Sequence, residues 1–221
     1  MLTVYHLDNS RSQRVLWLLE ELAAPHQIKH YRRDPKTMMA PAELRAVHPL
    51  GKSPIITDGD VTIAETGAII EYIVDKAGGR IRPPAGTPER LRWTYWPHYA
   101  EGSLMSPLLL KLVFDLMPDR SPMILRGLAR NIATRARAGF ITPQLRTHFD
   151  FLESELGKSE WFAGSEFSAA DVMMSFPLET GASRAGALEG RPRLKAFVER
   201  IQARPAYRAA LEKGGPYVYA R

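Results

Sequence analysis

The chain contains no cysteine in its 221 residues. This excludes disulfides and cysteine nucleophiles outright. If thiol chemistry occurs, the sulfur must arrive with a substrate. Nor is there an apolar run near the roughly 20 residues that a membrane span needs, so no membrane partner is expected. Met1-Leu2-Thr3 leads directly into a strand pattern with no leader-like segment before it, which makes the cytoplasm the expected location. Internal repeats, low-complexity stretches and heptad arrays are missing too, and no metal site is expected. The net charge is +6, but Arg80, Arg82, Arg90 and Arg92, then Arg126, Arg130, Arg135 and Arg137, are spread along helical or linking segments. They read as solvated faces, not as a focused basic patch, so no nucleic-acid partner is expected.

What is present is apolar enough, at 45% hydrophobic residues, to bury a large core in one or two domains. Thr3–Leu7 reads as a strand. Val15, Leu16, Leu18, Leu19 and Leu22 recur at helical spacing up to Ala23, Pro25 stops that helix, and Gln27–Tyr31 reads as a second strand. A strand–helix–strand crossover makes the two strands parallel. Residues 32–50 are broken by Asp34-Pro35, Ala40-Pro41 and His48-Pro49, with one short helix expected near 41–46. Ile55-Ile56-Thr57 and Val61-Thr62-Ile63 flank Asp58-Gly59-Asp60, a strong hairpin signal. Glu65-Thr66 then opens a helix through Ala68–Ile73.

The second half lacks strand alternation. Residues 77–88 are rich in Gly and Pro, and we divide the chain into a domain over 1–78, a linker over 79–88 and an all-helical domain over 89–221. Glu89 to about Met117 reads as one helix, with kinks expected at Pro97 and Pro107. Further helices are expected on Leu125, Leu128, Ile132 and Ala136, on Ile141 through Leu156, on Leu194 through Ile201, and on Tyr207, Ala210 and Leu211. Ser168-Ala169-Ala170-Asp171 fits a capping box, stapled by Phe167 and Val172, and its reciprocal bonds give Asp171 a structural role.

The hairpin brings the Gly51-Lys52-Ser53-Pro54 turn to face the Glu65-Thr66 helix start. One end offers an ammonium and exposed backbone, the other a carboxylate and a hydroxyl at a helix N-terminus. That pairing suits a small zwitterion.

The β-α-β-(α)-β-β-α unit with Lys52-Ser53-Pro54 and Glu65-Thr66, the segment Asn9–Leu22, the Phe167–Asp171 box and Tyr207–Lys213, in that order, resemble the cytosolic glutathione S-transferases over essentially the whole chain. The resemblance implies a thioredoxin-like first domain, an all-helical second domain, a homodimer, and glutathione as co-substrate. It implies a cis Ser53–Pro54 bond, leaving the Ser53 backbone to pair with the cysteinyl part of glutathione. Glu65 then accepts from the γ-glutamyl ammonium, Thr66 holds the γ-glutamyl carboxylate, and Lys52 meets the glycine carboxylate. Ser10, just ahead of the first helix, matches the activating serine of the serine-type members. Asn9, Ser12 and Tyr5 are the alternative thiolate donors, and capping of the helix is the plain structural reading of Ser10 or Ser12. Arg11, Trp96, Tyr99 and Ser103 are candidates for the electrophile site, although an aromatic stripe at helical spacing is commonly core. Conjugation of glutathione to hydrophobic electrophiles is the activity expected. Reduction of disulfides or peroxides at the same site, and a non-catalytic binding module, are the alternatives.

Overall fold

The computed structural model describes residues 1–34, 37 and 39–220; Pro35, one of the expected breaks, lies outside them. The first domain runs β1 (Leu2–Leu7), α1 (Ser12–Glu21), β2 (His26–Tyr31), α2 (Leu44–Val47), β3 (Ile55–Asp58), β4 (Val61–Ala64) and α3 (Thr66–Lys76). The strands form one sheet in the order β2-β1-β3-β4. The crossover through α1 makes β1 and β2 parallel, in register from Leu2↔His26 to Leu7↔Tyr31, while β3 is antiparallel to both β1 and β4. Asp58 pairs with Val61, so Gly59 and Asp60 alone make the turn, and Gly59 takes φ +60°. A two-residue hairpin loop that fits the twist of its strands needs such a residue first.

Alternation along β1 sends Val4 into the main core, with Leu16 of α1 and Ile70 of α3. It sends Tyr5 to the other face, into a small cluster with Leu44 of α2 and Ile55.

The helical domain contains α4 (Pro88–His98), α5 (Met105–Arg120), α6 (Arg126–Ala136), α7 (Thr142–Glu155), α8 (Ala169–Ala185), α9 (Pro192–Gln202) and α10 (Pro205–Gly214). Between Pro97 and Pro107 the helix continues through a π turn over Tyr99–Leu104. A second π turn, Arg137–Ile141, precedes Pro143. In both places a proline has removed one rung of the i→i−4 ladder.

α8 is the axle of this domain, buried along nearly all of its first thirteen residues. Pro177 removes the N–H that would have met the Met173 carbonyl, and Nη1 of Arg14, reaching across from α1, donates to that oxygen at 2.9 Å. The two domains are also joined by Trp17, whose ring meets Phe167 and Tyr207 at 5.7 and 5.3 Å.

α6 forms where the spacing of Leu125, Leu128, Ile132 and Ala136 places a helix. Its buried residues are Ala129 and Ala133. Leu125, Leu128 and Ile132, which define its period, face solvent. Small residues let α5 and α6 approach closely, and the larger stripe is left outside.

Candidate active site

The β3–β4 register pairs Ile55 with Ala64. Pro54 immediately precedes one member of this pair and Glu65 immediately follows the other, so the lysine turn and the helix start leave the ladder at the same end. The hairpin therefore does bring the lysine turn and the acidic helix start together. The Ser53–Pro54 bond is cis, and the Ser53 hydroxyl donates to the Tyr5 carbonyl at 2.9 Å, which ties the turn to β1. Lys52 is exposed and has no acidic partner among the described residues.

Glu65 is the residue before α3, at φ 70°, ψ 121°, and no side chain caps that helix. A non-glycine residue in this region costs of order 1–3 kcal/mol and persists only where its surroundings impose it. The Glu65 side chain is exposed and makes no ion pair among the described residues. Thr66 is buried, and its hydroxyl oxygen accepts from Nη2 of Arg14 at 3.4 Å. With one lone pair held, its proton is free to point outward at a ligand.

At the start of α1 the hydroxyls form a chain. The Ser12 N–H donates to Ser10 Oγ at 3.2 Å, and the two hydroxyl oxygens lie 2.7 Å apart. Ser12 Oγ also accepts from the Leu7 N–H at 3.2 Å and lies 2.9 Å from Nδ1 of His6. The Gly214 backbone also hydrogen-bonds the His6 ring, and with the ring proton on Nε2 the Ser12 hydroxyl donates to Nδ1. Burial, then the neighbouring His30, lowers the His6 pKa to about 4, which keeps the ring neutral near pH 7. In that tautomer the Ser12 proton is committed inward to His6. Ser10 Oγ accepts the Ser12 N–H and gives its own proton to Ser12 Oγ, and it serves a ligand by turning that proton away from Ser12.

The remaining candidates separate by position. Asn9 sits at φ 53°, a conformation asparagine tolerates, and its Oδ1 accepts from the Val218 N–H of the C-terminal tail at 2.8 Å. The Tyr5 hydroxyl lies on the far face of the sheet, 3.5 Å from Oγ1 of Thr57. Arg11 pairs with Glu101 at 3.2 Å, and Ser103 is exposed on the π turn. Trp96 and Tyr99, expected to line the electrophile site, lie instead in the aromatic core. Trp96 is 1% exposed and packs on Phe162 at 4.7 Å, while the Tyr99 hydroxyl bonds Nδ1 of His148 at 2.6 Å.

Three residues at the floor of the site were not foreseen: His6, Arg14 and Glu101. The Arg14 guanidinium is 1% exposed, bonds Glu101 and lies 5.4 Å from the centre of the Phe176 ring. Burial alone would raise the Glu101 carboxyl, but Arg14 and Arg11 outweigh it and hold the group below the usual range. The one sequence signal was an arginine on the apolar side of α1, where only a paired charge can stay.

A mixed four-stranded sheet with its cis-proline turn beside a helix N-terminus, backed by a helical bundle, defines a thioredoxin-like domain joined to an all-α domain. Residues 10–76 match the family model for the glutathione S-transferase N-terminal domain, and residues 142–205 match that for its C-terminal domain. Glutathione S-transferase 3 of Schizosaccharomyces pombe is 35% identical, over 96% of this chain and 88% of its own. Glutathione S-transferase 1 of Saccharomyces cerevisiae is 31% identical, over 96% and 95%. A solved glutathione S-transferase from Actinobacillus pleuropneumoniae superposes with a TM-score of 0.83 at 30% identity, covering 100% of this chain and 96% of that one. A sphingomonad glutathione S-transferase complexed with glutathione shares the fold, with a TM-score of 0.73 at 23% identity over 96% of this chain and 98% of that one. The chain belongs to the cytosolic glutathione S-transferase family, a family of enzymes.

Proposed function

We propose that this protein binds glutathione in the groove between the Lys52 turn and the start of α3, and transfers its sulfur to a hydrophobic electrophile. The observation that carries the reading is the uncapped N-terminus of α3 behind a strained, unpaired Glu65. A helix start with free N–H groups favours a carboxylate, and a carboxylate without a partner beside it favours an ammonium. The α-amino acid end of glutathione carries both. Thr66 donates to the γ-glutamyl carboxylate and Glu65 accepts from its ammonium. The Ser53 backbone pairs with the cysteinyl unit in the manner of an added strand, and Lys52 meets the glycine carboxylate. The complex of the sphingomonad relative supports a glutathione site on this fold.

A free thiol has a pKa near 8.5 and is only a few per cent ionised at neutral pH. Ser10 turns its proton from Ser12 Oγ to the sulfur and stabilises the thiolate. It does not act as a base, since a hydroxyl is too weak an acceptor of protons. The N-terminus of α1 adds favourable potential. The electrophile lies between the domains beside Arg11 and Ser103. The protein works in the cytoplasm as a homodimer.

The test is a pH–rate profile for conjugation of glutathione to a chlorodinitrobenzene by the wild type and Ser10→Ala. A hydrogen bond to a charged group is worth roughly 1.5–3 kcal/mol. The variant should therefore raise the pKa of bound glutathione by about 1–2 units and lose rate near neutral pH. An unmoved profile gives the role to Asn9, and wild-type turnover of peroxides or disulfides exceeding conjugation replaces transfer with reduction.

A further inference from the structure

Residues 120–149 contain no Asp or Glu and six arginines, at positions 120, 126, 130, 135, 137 and 146, so this stretch carries a formal charge equal to the +6 of the whole chain. The remaining 24 Lys and Arg balance the 24 Asp and Glu. The segment runs from the tip of the α5–α6 hairpin through α6 and the second π turn into the first half of α7. Arg137 bonds Asp115 at 2.8 Å and Arg146 lies 3.9 Å from Asp150. Arg120, Arg126, Arg130 and Arg135 have no acidic partner among the described residues.

The same stretch holds the two most exposed large apolar side chains among the described residues. Met123 and Ile124, at the tip, are 84% and 92% exposed. Leu125, Leu128 and Ile132 continue the stripe along α6, because that helix buries its alanines instead. Scattered apolar residues on a surface mean little, but a contiguous group rimmed by charge of one sign marks an interaction site.

Charge decides the occupant. A second copy related by a two-fold axis would set this basic segment against itself. Single-stranded nucleic acid uses aromatic platforms, and the exposed stripe is aliphatic. An anionic bilayer surface answers both features. Aliphatic side chains enter the boundary between headgroups and acyl chains, while arginines lay their stems along it and reach the phosphates. No described helix is long and apolar enough to cross a membrane, so the contact is peripheral and reversible. We propose that the tip of the α5–α6 hairpin docks on anionic phospholipid membranes, with Met123 and Ile124 inserted and Arg120, Arg126, Arg130 and Arg135 on the headgroups. The contact does not depend on the chemistry of the glutathione site.

The test is flotation of the full-length protein with vesicles of phosphatidylcholine, with and without phosphatidylserine. Binding is expected only with phosphatidylserine, and it should fall as salt is added. Ile124→Ser should weaken it about tenfold, the scale of one buried aliphatic side chain. Arg126→Gln and Arg130→Gln should each weaken it about fivefold, the scale of one basic residue at such a surface. Conjugation of glutathione in solution should be unchanged in all three, since these side chains are exposed and far along the chain from the site. Equal binding to neutral vesicles, or unaltered binding by Ile124→Ser, overturns the proposal. A dimeric wild type whose Ile124→Ser variant is monomeric also overturns it and assigns the face to a second copy. Tighter binding to single-stranded nucleic acid than to phosphatidylserine vesicles assigns it to a polyanion.

Discussion

Two helices in this molecule begin in opposite ways. α8 opens on Ser168 and Asp171, a complete capping box. Asp171 accepts from the Phe162 N–H at 2.8 Å and from the Ser168 N–H at 2.9 Å, and it is fully buried. α3 opens on Glu65, in a costly backbone conformation, with no cap and an exposed carboxylate. The first start spends its polar groups on itself, and the second keeps them for something else. Every helix N-terminus has four N–H groups to satisfy, and α10 too begins without a side-chain cap; what sets α3 apart among the described helices is the positive φ of the residue before it.

The largest effect expected from this contrast is at α8. Asp171→Ala leaves the buried Phe162 and Ser168 N–H groups without an acceptor, while the Ser168 hydroxyl keeps its bond from the Ala170 N–H. At about 1–3 kcal/mol for each orphaned group, the variant should lose about 4 kcal/mol in urea unfolding. The folded fraction should bind glutathione with wild-type affinity. A selective loss of affinity would mean that α8 is part of the site and the contrast is false.

Glu65→Ala should behave in the reverse way. Its side chain holds nothing in the protein, so unfolding free energy should change little. Glutathione affinity should fall by about 3 kcal/mol, the scale for a desolvated charge pair that loses one partner. Calorimetric titration reads this directly, and undiminished affinity would place the tripeptide elsewhere.

The same contrast explains what the sequence displays and what it conceals. Local patterns carry local elements: the period-2 runs around Gly59, the helical spacing from Val15 to Leu22, and the serine–aspartate box at 168–171 all lie where expected. α8 beyond its cap was invisible because a helix buried all round has no polar face, and periodicity detects only the alternation of faces. On α6 the period marks a helix but not its buried side. Leu128 and Ile132 announce a helix, yet the alanines between them pack. Arg14 marks the deeper limit. Its partners lie at Thr66, Glu101 and Met173, and the last of these is free only because Pro177 follows it by four. No spacing along the chain encodes a donor that crosses between domains to fill a gap left by a proline. Of the candidate site, the hairpin logic conveyed that Lys52 and Ser53 lie at the same end of the sheet as Glu65 and Thr66. The aromatic spacing of Trp96 and Tyr99 conveyed only core.

The smallest expected effect tests the contrast most sharply, because it separates strain from charge. Glu65→Ala and Glu65→Gly both lose the carboxylate, and both should weaken glutathione binding alike. Only glycine adopts φ near 70° without cost, so the glycine variant alone releases the strain at the start of α3. Glycine also gives the unfolded chain more freedom, which offsets part of the gain. From a strain of roughly 1–3 kcal/mol, Glu65→Gly should remain about 1 kcal/mol more stable than Glu65→Ala in urea unfolding. Such a result makes this backbone a cost that the fold carries for the sake of binding, as expected where function and stability compete. Equal stability of the two variants would mean that Glu65 is held in place at no expense, and its odd geometry would then say nothing about a ligand.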